Sequence, residues 1–279
     1  MNRTPAGLLS SLKLRGIRTI GAATAASLRL RPPAKYRAGL TVVTVNWNSM
    51  YFLGPMLDVV ESMSPKGTEI LVVDNASTDG SREFLRERAG VGSLELPVNV
   101  GHGLALDLAI PRIDTEFVAV LDVDAFPVSP RWIEASISAL DAGPRIAGAR
   151  LHRNFVHPSF LVTRTKLLHE LGLTFRPVGY MKRVGKPAPL FMDVGEALSQ
   201  RAIIKFHGTS SALHFFEPTS VRGPGLAGAV FGNLVYHNLY ATQGRGHSDA
   251  RVMFDAALAE HHPEIATVWR RNAHLGADD

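Results

Sequence analysis

The stretch that decides the fold is Phe117–Asp124, FVAVLDVD, in which five apolar residues are followed by two aspartates separated by a single valine. A short apolar run without charge is typical of a strand that is buried on both faces, as in a parallel sheet. The carboxyl ends of such strands form the edge at which these sheets bind ligands. This stretch therefore predicts a buried strand that presents Asp122 and Asp124 at a binding edge.

Three further apolar runs lie upstream, and each of them also ends in polar side chains. The runs and the polar residues that follow them are Leu40–Val45 with Asn46, Glu69–Val73 with Asp74 and Asn75, and Leu94–Leu96 with Asn99 and Gly101. Helical stretches are expected between the runs, so that strand and helix alternate. We therefore expect an α/β fold with a Rossmann-like, mostly parallel sheet flanked by helices, whose strand ends surround one crevice.

Beyond Leu151 the alternation loosens. The expected elements are a strand near 160–162 and helices near 165–171, 193–202 and 250–261. The sequence contains no internal repeat and no clear linker. These features predict a single domain over residues 40–279 that ends in a variable, helical C-terminal part.

The charge of the chain is concentrated at its start. Of the 30 Lys and Arg residues, eight lie within residues 1–39, which hold no acid, and the remainder has 22 basic and 25 acidic residues. A slightly acidic body lacks the basic face that neutralises phosphates, so we expect no nucleic-acid partner. The absence of cysteine excludes disulfides, thiolate metal sites and cysteine nucleophiles.

Residues 1–39 form a basic leader in which leucine and isoleucine are interrupted by lysine and arginine. These interruptions exclude a secretory signal and a membrane-spanning helix. A disordered tail, a basic amphipathic segment resting on an anionic membrane, and an organellar transit peptide remain as alternatives. We expect a cytoplasmic protein, which the second alternative would hold at the inner face of the plasma membrane.

Asp122 and Asp124 are the first candidates for chemistry. Two carboxylates at one strand end can converge on Mg²⁺ or Mn²⁺, which proteins usually hold with one or two carboxylates plus substrate phosphates. Such an ion neutralises the charge of a departing diphosphate. The alternative is a solvated loop or helix cap, but the neighbouring polar strand ends favour a metal site.

Asp74 and the Gly-rich turn at Asn99 are the next candidates. Asp74 closes an apolar strand, where it could accept hydrogen bonds from a base or a ribose. The backbone amides of the turn could receive a phosphate or the edge of a sugar. The alternative for the residues that follow Asp74 is turn and helix-cap chemistry.

Four segments, taken as a set, resemble glycosyltransferase family 2. They are VVTVNWNS (42–49), ILVVDNASTDGS (70–81), NVGHGLALDLAI (99–110) and FVAVLDVDAFPVSPRWIEASI (117–137). The resemblance covers roughly Leu40–Leu140 and continues in outline to about Arg201. It implies a GT-A fold, a nucleotide-sugar donor and an inverting reaction, and it is nearest to the branch that includes bacterial rhamnosyltransferases of cell-surface polysaccharides.

The resemblance also implies roles for individual residues. Those expected at the nucleotide are Asn46, Asp74, Asn75, Asn99, Gly101 and Asp122. Asp124 would be the metal ligand, with Asp122 near both the ribose and the metal. Members of this fold often add a C-terminal histidine to the metal site, for which His237 is the first candidate and His207 and His214 are alternatives.

FMDVGEALSQR (191–201) resembles the segment that supplies the catalytic base of the family. Family members commonly show Glu-Asp here, whereas this chain has Met192 followed by Asp193. Asp193 is therefore the implied base, and Glu196, one helical turn later, is the alternative. A second departure is Leu106-Asp107, where the family often has two asparagines.

These inferences predict an inverting, hexosyltransferase-type enzyme that acts in polysaccharide or glycolipid synthesis at the cell surface or cell wall. Residues 40–150 would bind the nucleotide-sugar, and residues 151–279 would bind a glycan or lipid-linked acceptor. One alternative is a weakly active or inactive relic that binds glycans or nucleotide-sugars. A nucleotidyltransferase is less favoured, because the segment NWNSMYF after the first strand has no basic residue for a triphosphate.

Overall fold

The structure, a computed structural model, describes residues 33–151, 153–172, 175–177, 180–181, 190–206, 210–223, 226–239 and 247–275. Residues 1–32 of the basic leader and the candidate ligand His207 lie outside these ranges. The first strand begins at Arg37, so residues 37–39 of the expected leader belong to the sheet. Arg37 anchors this end through ion pairs with Glu69 at 2.8 Å and Asp114 at 2.6 Å.

Strands and helices alternate through the first half of the chain. The strands are β1 (Arg37–Asn46), β2 (Glu69–Asp74), β3 (Val91–Glu95), β4 (Thr115–Leu121), β5 (Ala125–Pro127), β6 (Ile146–Ala149), β7 (His157–Arg164), β8 (Tyr180–Met181), β9 (Leu190–Phe191), β10 (Leu213–Phe216), β11 (Pro218–Val221), β12 (Ala229–Phe231) and β13 (Val235–His237). The α-helices are α1 (Met50–Met63), α2 (Ser81–Glu87), α3 (His102–Ala109), α4 (Trp132–Asp141), α5 (Thr165–Leu171), α6 (Glu196–Lys205), α7 (His247–His261) and α8 (Pro263–Leu275).

The main sheet has seven strands in the order β10-β6-β7-β4-β1-β2-β3. Strand β1 pairs in parallel with β2 and β4, β2 pairs in parallel with β3, and β10 pairs in parallel with β6. Strand β7 is the antiparallel member, between β4 and β6. The register places Asn46 opposite Asp74, so the ends of β1 and β2 coincide at one edge. The predicted α/β architecture with a mostly parallel sheet is confirmed.

Each face of the main sheet is covered by its own apolar cluster, so the central strands carry buried apolar residues on both faces. Val42 and Val43 are both fully buried, and they belong to the two different clusters. Helices α1, α4 and α7 contribute to one cluster, and helices α3, α5 and α6 to the other. Helix α8 packs against α1, where the Trp269 ring fills the space that a Cβ at Gly54 would need.

A second sheet, in the order β11-β12-β13-β5, is antiparallel. The part after Leu151 therefore contains short strands as well as the expected helices. Strand β5 follows directly on the Asp-x-Asp segment, and His237 of β13 pairs with Ala125 of β5. This pairing brings a residue from late in the chain to the carboxyl end of β4.

The helices that border the site differ in how closely the sequence predicted them. Helix α5 has the predicted bounds, whereas α6 begins at Glu196 and leaves Asp193 in the preceding loop. None of the described helices has both the length and the apolar character that a membrane span requires.

Candidate active site

The ends of β1 and β2 are joined by a buried polar network. Asn46 Nδ2 donates to Asp74 Oδ2 at 3.1 Å and to Ser77 Oγ at 3.0 Å. Asp74 Oδ1 accepts from Arg82 Nε at 2.7 Å and from the Ser77 backbone N–H at 3.0 Å. Burial alone would raise the pKa of Asp74, but these hydrogen bonds outweigh burial and lower it.

Asn46 and Asp74 have no exposed surface in this arrangement. Their bonds to each other and to their neighbours stiffen the floor of the crevice. Contact of these two side chains with a nucleotide stays a prediction.

The Gly-rich turn is tied to the end of β2 by two asparagines. Asn75 Nδ2 donates to Asn99 Oδ1 at 3.0 Å, and Asn75 Oδ1 accepts from the Val100 N–H at 2.9 Å. Asn99 Oδ1 also accepts from the Gly101 N–H at 2.9 Å. Gly101 has φ +86°, which glycine adopts without strain, and helix α3 starts at the next residue. The turn is therefore held against the crevice by Asn75 and Asn99.

Asp122, Asp124 and His237 converge at the carboxyl end of β4. Their ligand atoms all lie within 4.8 Å of one another. His237 Nε2 is 3.3 Å from Asp122 Oδ2 and 3.5 Å from Asp124 Oδ1. His237 and Asp124 are buried, and Asp122 is partly exposed.

The donor set of this group fits a divalent cation. Two carboxylates and one imidazole offer oxygen and nitrogen ligands of the kind that Mn²⁺ and Mg²⁺ sites use. Among the residues that the structure describes, the buried atoms Asp122 Oδ1 and His237 Nδ1 have no hydrogen-bond partner. An unpartnered carboxylate oxygen at a buried site is costly unless a cation or a ligand compensates it. A divalent metal is therefore supported by the chain's own side chains.

The electrostatics of Asp122, Asp124 and His237 also favour a bound cation. Burial lowers the pKa of His237, but the carboxylates of Asp124 and Asp122 outweigh burial and raise it to about 10. Burial raises the pKa of Asp122, but His102 and His237 outweigh it and lower that pKa well below its ordinary value. The two carboxylates thus favour positive charge at this point, which a bound divalent cation would supply.

Two further histidines lie beside this group, and the sequence did not single them out. His102, the first residue of α3, has its buried Nε2 3.4 Å from Asp122 Oδ1. The ring of His157 stacks on that of His237, with centroids 6.0 Å apart and an interplanar angle of 27°. Burial lowers the pKa of His157 to about 4. The position of His102 inside the Gly-rich turn was a usable signal, and His157 opens the segment HPSFLVTRTKLLHELG (157–172), which resembles the family segment that shapes the sugar and acceptor pocket.

The candidate bases Asp193 and Glu196 share one arginine. Arg153 Nη1 donates to Glu196 Oε2 at 2.7 Å, and its Nη2 lies 3.4 Å from Asp193 Oδ2. Glu196 Oε2 also accepts from the Asp193 N–H at 2.9 Å, and its side chain is 4% exposed compared with 34% for Asp193. Glu196 is therefore held inside the protein, and Asp193 is the carboxylate that faces outward.

Residues 41–197, more than half of the chain, match the family model of glycosyl transferase family 2. The chain belongs to this family. No curated protein matches the chain. The comparison with solved structures adds relatives of low sequence identity.

The mannosyltransferase PcManGT from Pyrobaculum calidifontis, in complex with GDP-Man and Mn²⁺, has a TM-score of 0.52 and 16% identity over 95% of this chain and 82% of that chain. Glucosyl-3-phosphoglycerate synthase from Mycobacterium tuberculosis with UDP has a TM-score of 0.47 and 16% identity over 67% and 73%. Residues 1–349 of TarS from S. aureus have a TM-score of 0.40 and 19% identity over 47% and 48%. This chain thus spans about half the length of the TarS structure. The likeness to PcManGT shows a shared fold, the GT-A architecture.

One departure of this family 2 member has a structural explanation. Asp107 stands in α3 where the family often has asparagine, and it is fully buried. Its carboxylate accepts from the backbone N–H groups of Phe175 at 2.9 Å and of Arg176 at 3.4 Å. The Arg176 backbone also lies 2.6 Å from where a Cβ at Gly103 would be. Asp107 therefore fixes the segment at residues 175–176 against α3.

The two alternative metal ligands of this family 2 member are His214 and His207. His214 lies on β10, the edge strand of the main sheet, and its ring packs on Phe216 at 4.8 Å. His214 is not part of the Asp122–Asp124–His237 group, and His207 lies outside the described residues.

Proposed function

We propose that this family 2 member transfers a sugar from a nucleoside-diphosphate sugar to a hydroxyl acceptor, with inversion at the anomeric carbon. The convergence of Asp122, Asp124 and His237 at the edge where β1, β2 and β4 end is the observation that carries the proposal. A parallel sheet binds nucleotides at this edge, and the carboxylate–imidazole group suits the cation that accompanies a diphosphate.

Asp122, Asp124 and His237 would hold Mn²⁺ or Mg²⁺. The bound cation would neutralise charge on the departing nucleoside diphosphate. Asn75 and Asn99 hold the turn, and the backbone amides that follow Gly101, at the start of α3, would face the donor. Asn46 and Asp74 would support the nucleotide from the crevice floor.

Asp193 is the proposed general base. It would accept the proton of the acceptor hydroxyl as that oxygen attacks the anomeric carbon, in a single displacement without a covalent sugar–enzyme intermediate. Its partial exposure and its place in the loop before α6 support this role. Glu196 is less suited, because its carboxylate is buried and bound by Arg153 and by the Asp193 N–H.

The donor sugar would be a hexose or deoxyhexose, as in the rhamnosyltransferase-like branch, and the acceptor a glycan or a lipid-linked saccharide of the cell surface or cell wall. Residues 151–279 would bind this acceptor. The basic leader would keep the enzyme at the inner face of the plasma membrane, where a lipid-linked acceptor is available.

A direct test is product analysis with a panel of UDP-, GDP- and dTDP-sugars in the presence of Mn²⁺ and a hydroxyl acceptor analogue. We expect one donor to release its nucleoside diphosphate and to give a glycoside whose anomeric configuration, read by NMR, is opposite to that of the donor. The Asp193→Asn variant is the control and should form product at least about 100-fold more slowly. A product of retained configuration would contradict the inverting mechanism.

A second candidate function is a binding protein derived from a glycosyltransferase. Met192 favours it, because this position commonly carries glutamate in the family and here holds a buried apolar side chain. Such a protein would bind a nucleotide-sugar with Mn²⁺ as tightly as an enzyme does. It would not cleave the bond between the sugar and the nucleoside diphosphate. Calorimetric titration of the same donors beside the product analysis separates the two candidates, since binding without turnover favours the relic.

A further inference from the structure

Asp107 lies on the helix that begins at the Gly-rich turn. Helix α3 starts at His102, directly after Gly101, and its first backbone amides are the ones proposed to face the donor. Asp107 lies further along the same helix and has no exposed surface. A buried carboxylate is tolerated only where hydrogen bonds or charges compensate it, so its partners show what it holds in place.

The carboxylate of Asp107 binds two consecutive backbone amides of one segment. Its Oδ1 accepts from the Phe175 N–H at 2.9 Å, and its Oδ2 accepts from the Arg176 N–H at 3.4 Å. An asparagine side chain has a single acceptor oxygen, and its NH₂ group would meet the second N–H as another donor. The aspartate that departs from the family pattern is therefore the side chain that serves both amides.

Helix α3 also packs directly on this segment. A Cβ at Gly103 would lie 2.6 Å from the Cα of Arg176 and 2.8 Å from the carbonyl oxygen of Phe175. The Phe175 side chain is buried in the apolar cluster that contains Leu106 of α3 and Leu198 of α6. The segment is thus held between these two helices.

The same segment binds the loop of the proposed base. We call residues 193–195, which precede α6, the base loop. The Gly195 N–H donates to the carbonyl oxygen of Phe175 at 2.8 Å. The other two backbone N–H groups of the base loop donate to the carboxylates of Asp193 and Glu196. The Phe175 carbonyl therefore connects the backbone of the base loop to a distant part of the chain.

We propose that Asp107 is a positioning residue that holds the base loop at a fixed distance from the donor by way of Phe175. This inference rests on the proposed function, in which the start of α3 faces the donor and Asp193 is the base. A general base must lie within hydrogen-bond reach of the proton that it accepts, and small displacements of reacting groups reduce the rate. Asp107 therefore acts on the chemical step, whereas donor binding depends on the metal site and the turn.

The test compares native protein with Asp107→Asn, which keeps one acceptor oxygen, and with Asp107→Ala, which keeps none. The substrates are the donor and the hydroxyl acceptor analogue that native protein turns over with Mn²⁺ in the product analysis. We expect kcat to fall about 3-fold in Asp107→Asn and about 10-fold or more in Asp107→Ala. The calorimetric affinity for the matching free UDP, GDP or dTDP with Mn²⁺ should stay within about twofold of native in both variants.

A double-mutant cycle with Asp193→Asn separates a positioning role from a merely structural one. If Asp107 acts through the base, its loss has no further effect on proton transfer once that carboxylate is gone. Asp107→Ala should therefore lower the residual kcat of Asp193→Asn by less than about twofold. A structural effect on the fold or on donor binding would instead lower kcat by the same factor in both backgrounds.

Asp58→Asn is the matched control, because the Asp58 carboxylate also holds two segments together. It accepts from Trp269 Nε1 at 2.6 Å and so joins α1 to α8. These helices pack on the face of the main sheet opposite to α3. We expect Asp58→Asn to lower the thermal unfolding temperature and to leave kcat close to native.

Native kcat in folded Asp107→Ala would overturn the proposal, as would an equal loss of kcat in the Asp193→Asn background or in Asp58→Asn. A parallel loss of affinity for the free diphosphate would place the effect at the donor and overturn it as well. If Asp107→Ala did not fold, as judged by circular dichroism, Asp107→Asn would decide the same outcomes. Native kcat in Asp193→Asn would instead refute the proposed base, and absence of any turnover by native protein would refute the proposed function.

Discussion

The guanidinium of Arg153 donates to the buried carboxylate of Glu196 at 2.7 Å, and the same group reaches Asp193 at 3.4 Å. A buried glutamate is tolerated only when its charge is paired and hydrogen-bonded, and Arg153 with the Asp193 N–H supplies both conditions. The ion pair therefore orients the loop that carries Asp193. Glu196 therefore has a structural role, and Asp193 is the proposed base.

Asp193→Asn should abolish proton transfer without disturbing donor binding. We expect kcat to fall by at least about 100-fold, as for removal of a general base, while the affinity for nucleotide-sugar stays within a factor of about two. Steady-state kinetics together with calorimetric titration of the donor would measure both quantities. A variant with native kcat would exclude Asp193 as the base.

Glu196→Gln should act mainly on stability. The change removes the charge that Arg153 neutralises, and we expect the free energy of unfolding to fall by about 2 kcal/mol, less than for a fully buried pair because Arg153 is partly exposed. The loss of kcat should stay well below that of Asp193→Asn. If Glu196→Gln were instead the inactive variant with normal stability, the base would be Glu196.

Asp74 makes stability dependent on pH. The folded-state pKa of Asp74 lies below the ordinary value of 3.8. The carboxylate therefore adds to the free energy of unfolding above pH 3.8, and this contribution is lost as the pH falls through the folded-state pKa. The difference in unfolding free energy between native protein and Asp74→Asn should therefore be largest above about pH 5 and shrink below pH 3.8. Urea unfolding at several pH values would measure it.

Asp141→Asn is the matched control for this pH experiment, since Asp141 pairs with Arg164 at the exposed surface. Its effect should be small at every pH. A pH-independent effect of Asp74→Asn would show that its carboxylate is not selectively stabilised in the folded state.

The sequence predicted the main sheet because its strands are local apolar runs that are buried on both faces. The strand that precedes Asp122 follows from that pattern, whereas the register of Asn46 with Asp74 is seen only in the fold. Helix α6 was predicted three residues too early, since the polar residues around Asp193 suit a helix start as well as a loop.

Other parts of the site had no local signal. The pairing of β13 with β5 joins two three-residue strands more than 100 residues apart, and such a pairing is set by tertiary packing. The candidacy of His237 came from the family resemblance and not from a pattern. Arg153 is one arginine among many in the sequence, and only the fold shows that Glu196 is its partner.

The basic leader is the basis of a prediction about membranes. Residues 1–32 hold six basic residues and no acid. Because each basic residue near an anionic surface contributes about 1 kcal/mol, the full chain should sediment with vesicles containing phosphatidylserine at low salt. A truncated chain that begins at Pro33, and so keeps the Arg37 ion pairs, should not.

The attraction should weaken at physiological salt, where the Debye length is about 8 Å. A full-length variant with the six leader basic residues changed to glutamine serves as the matched control and should stay in the supernatant. Equal sedimentation of all three proteins would show that the leader does not bind membranes.

The metal-dependent nucleotide site is the centre of this account, and calorimetric titration of UDP and GDP with and without Mn²⁺ tests it most directly. We expect at least one of them to bind native protein about tenfold or more tightly with Mn²⁺ than with EDTA. Asp124→Asn should lose this difference and keep its fold, as shown by an unchanged circular dichroism spectrum. Identical affinities with Mn²⁺ and EDTA, or a full Mn²⁺ effect in Asp124→Asn, would contradict the account.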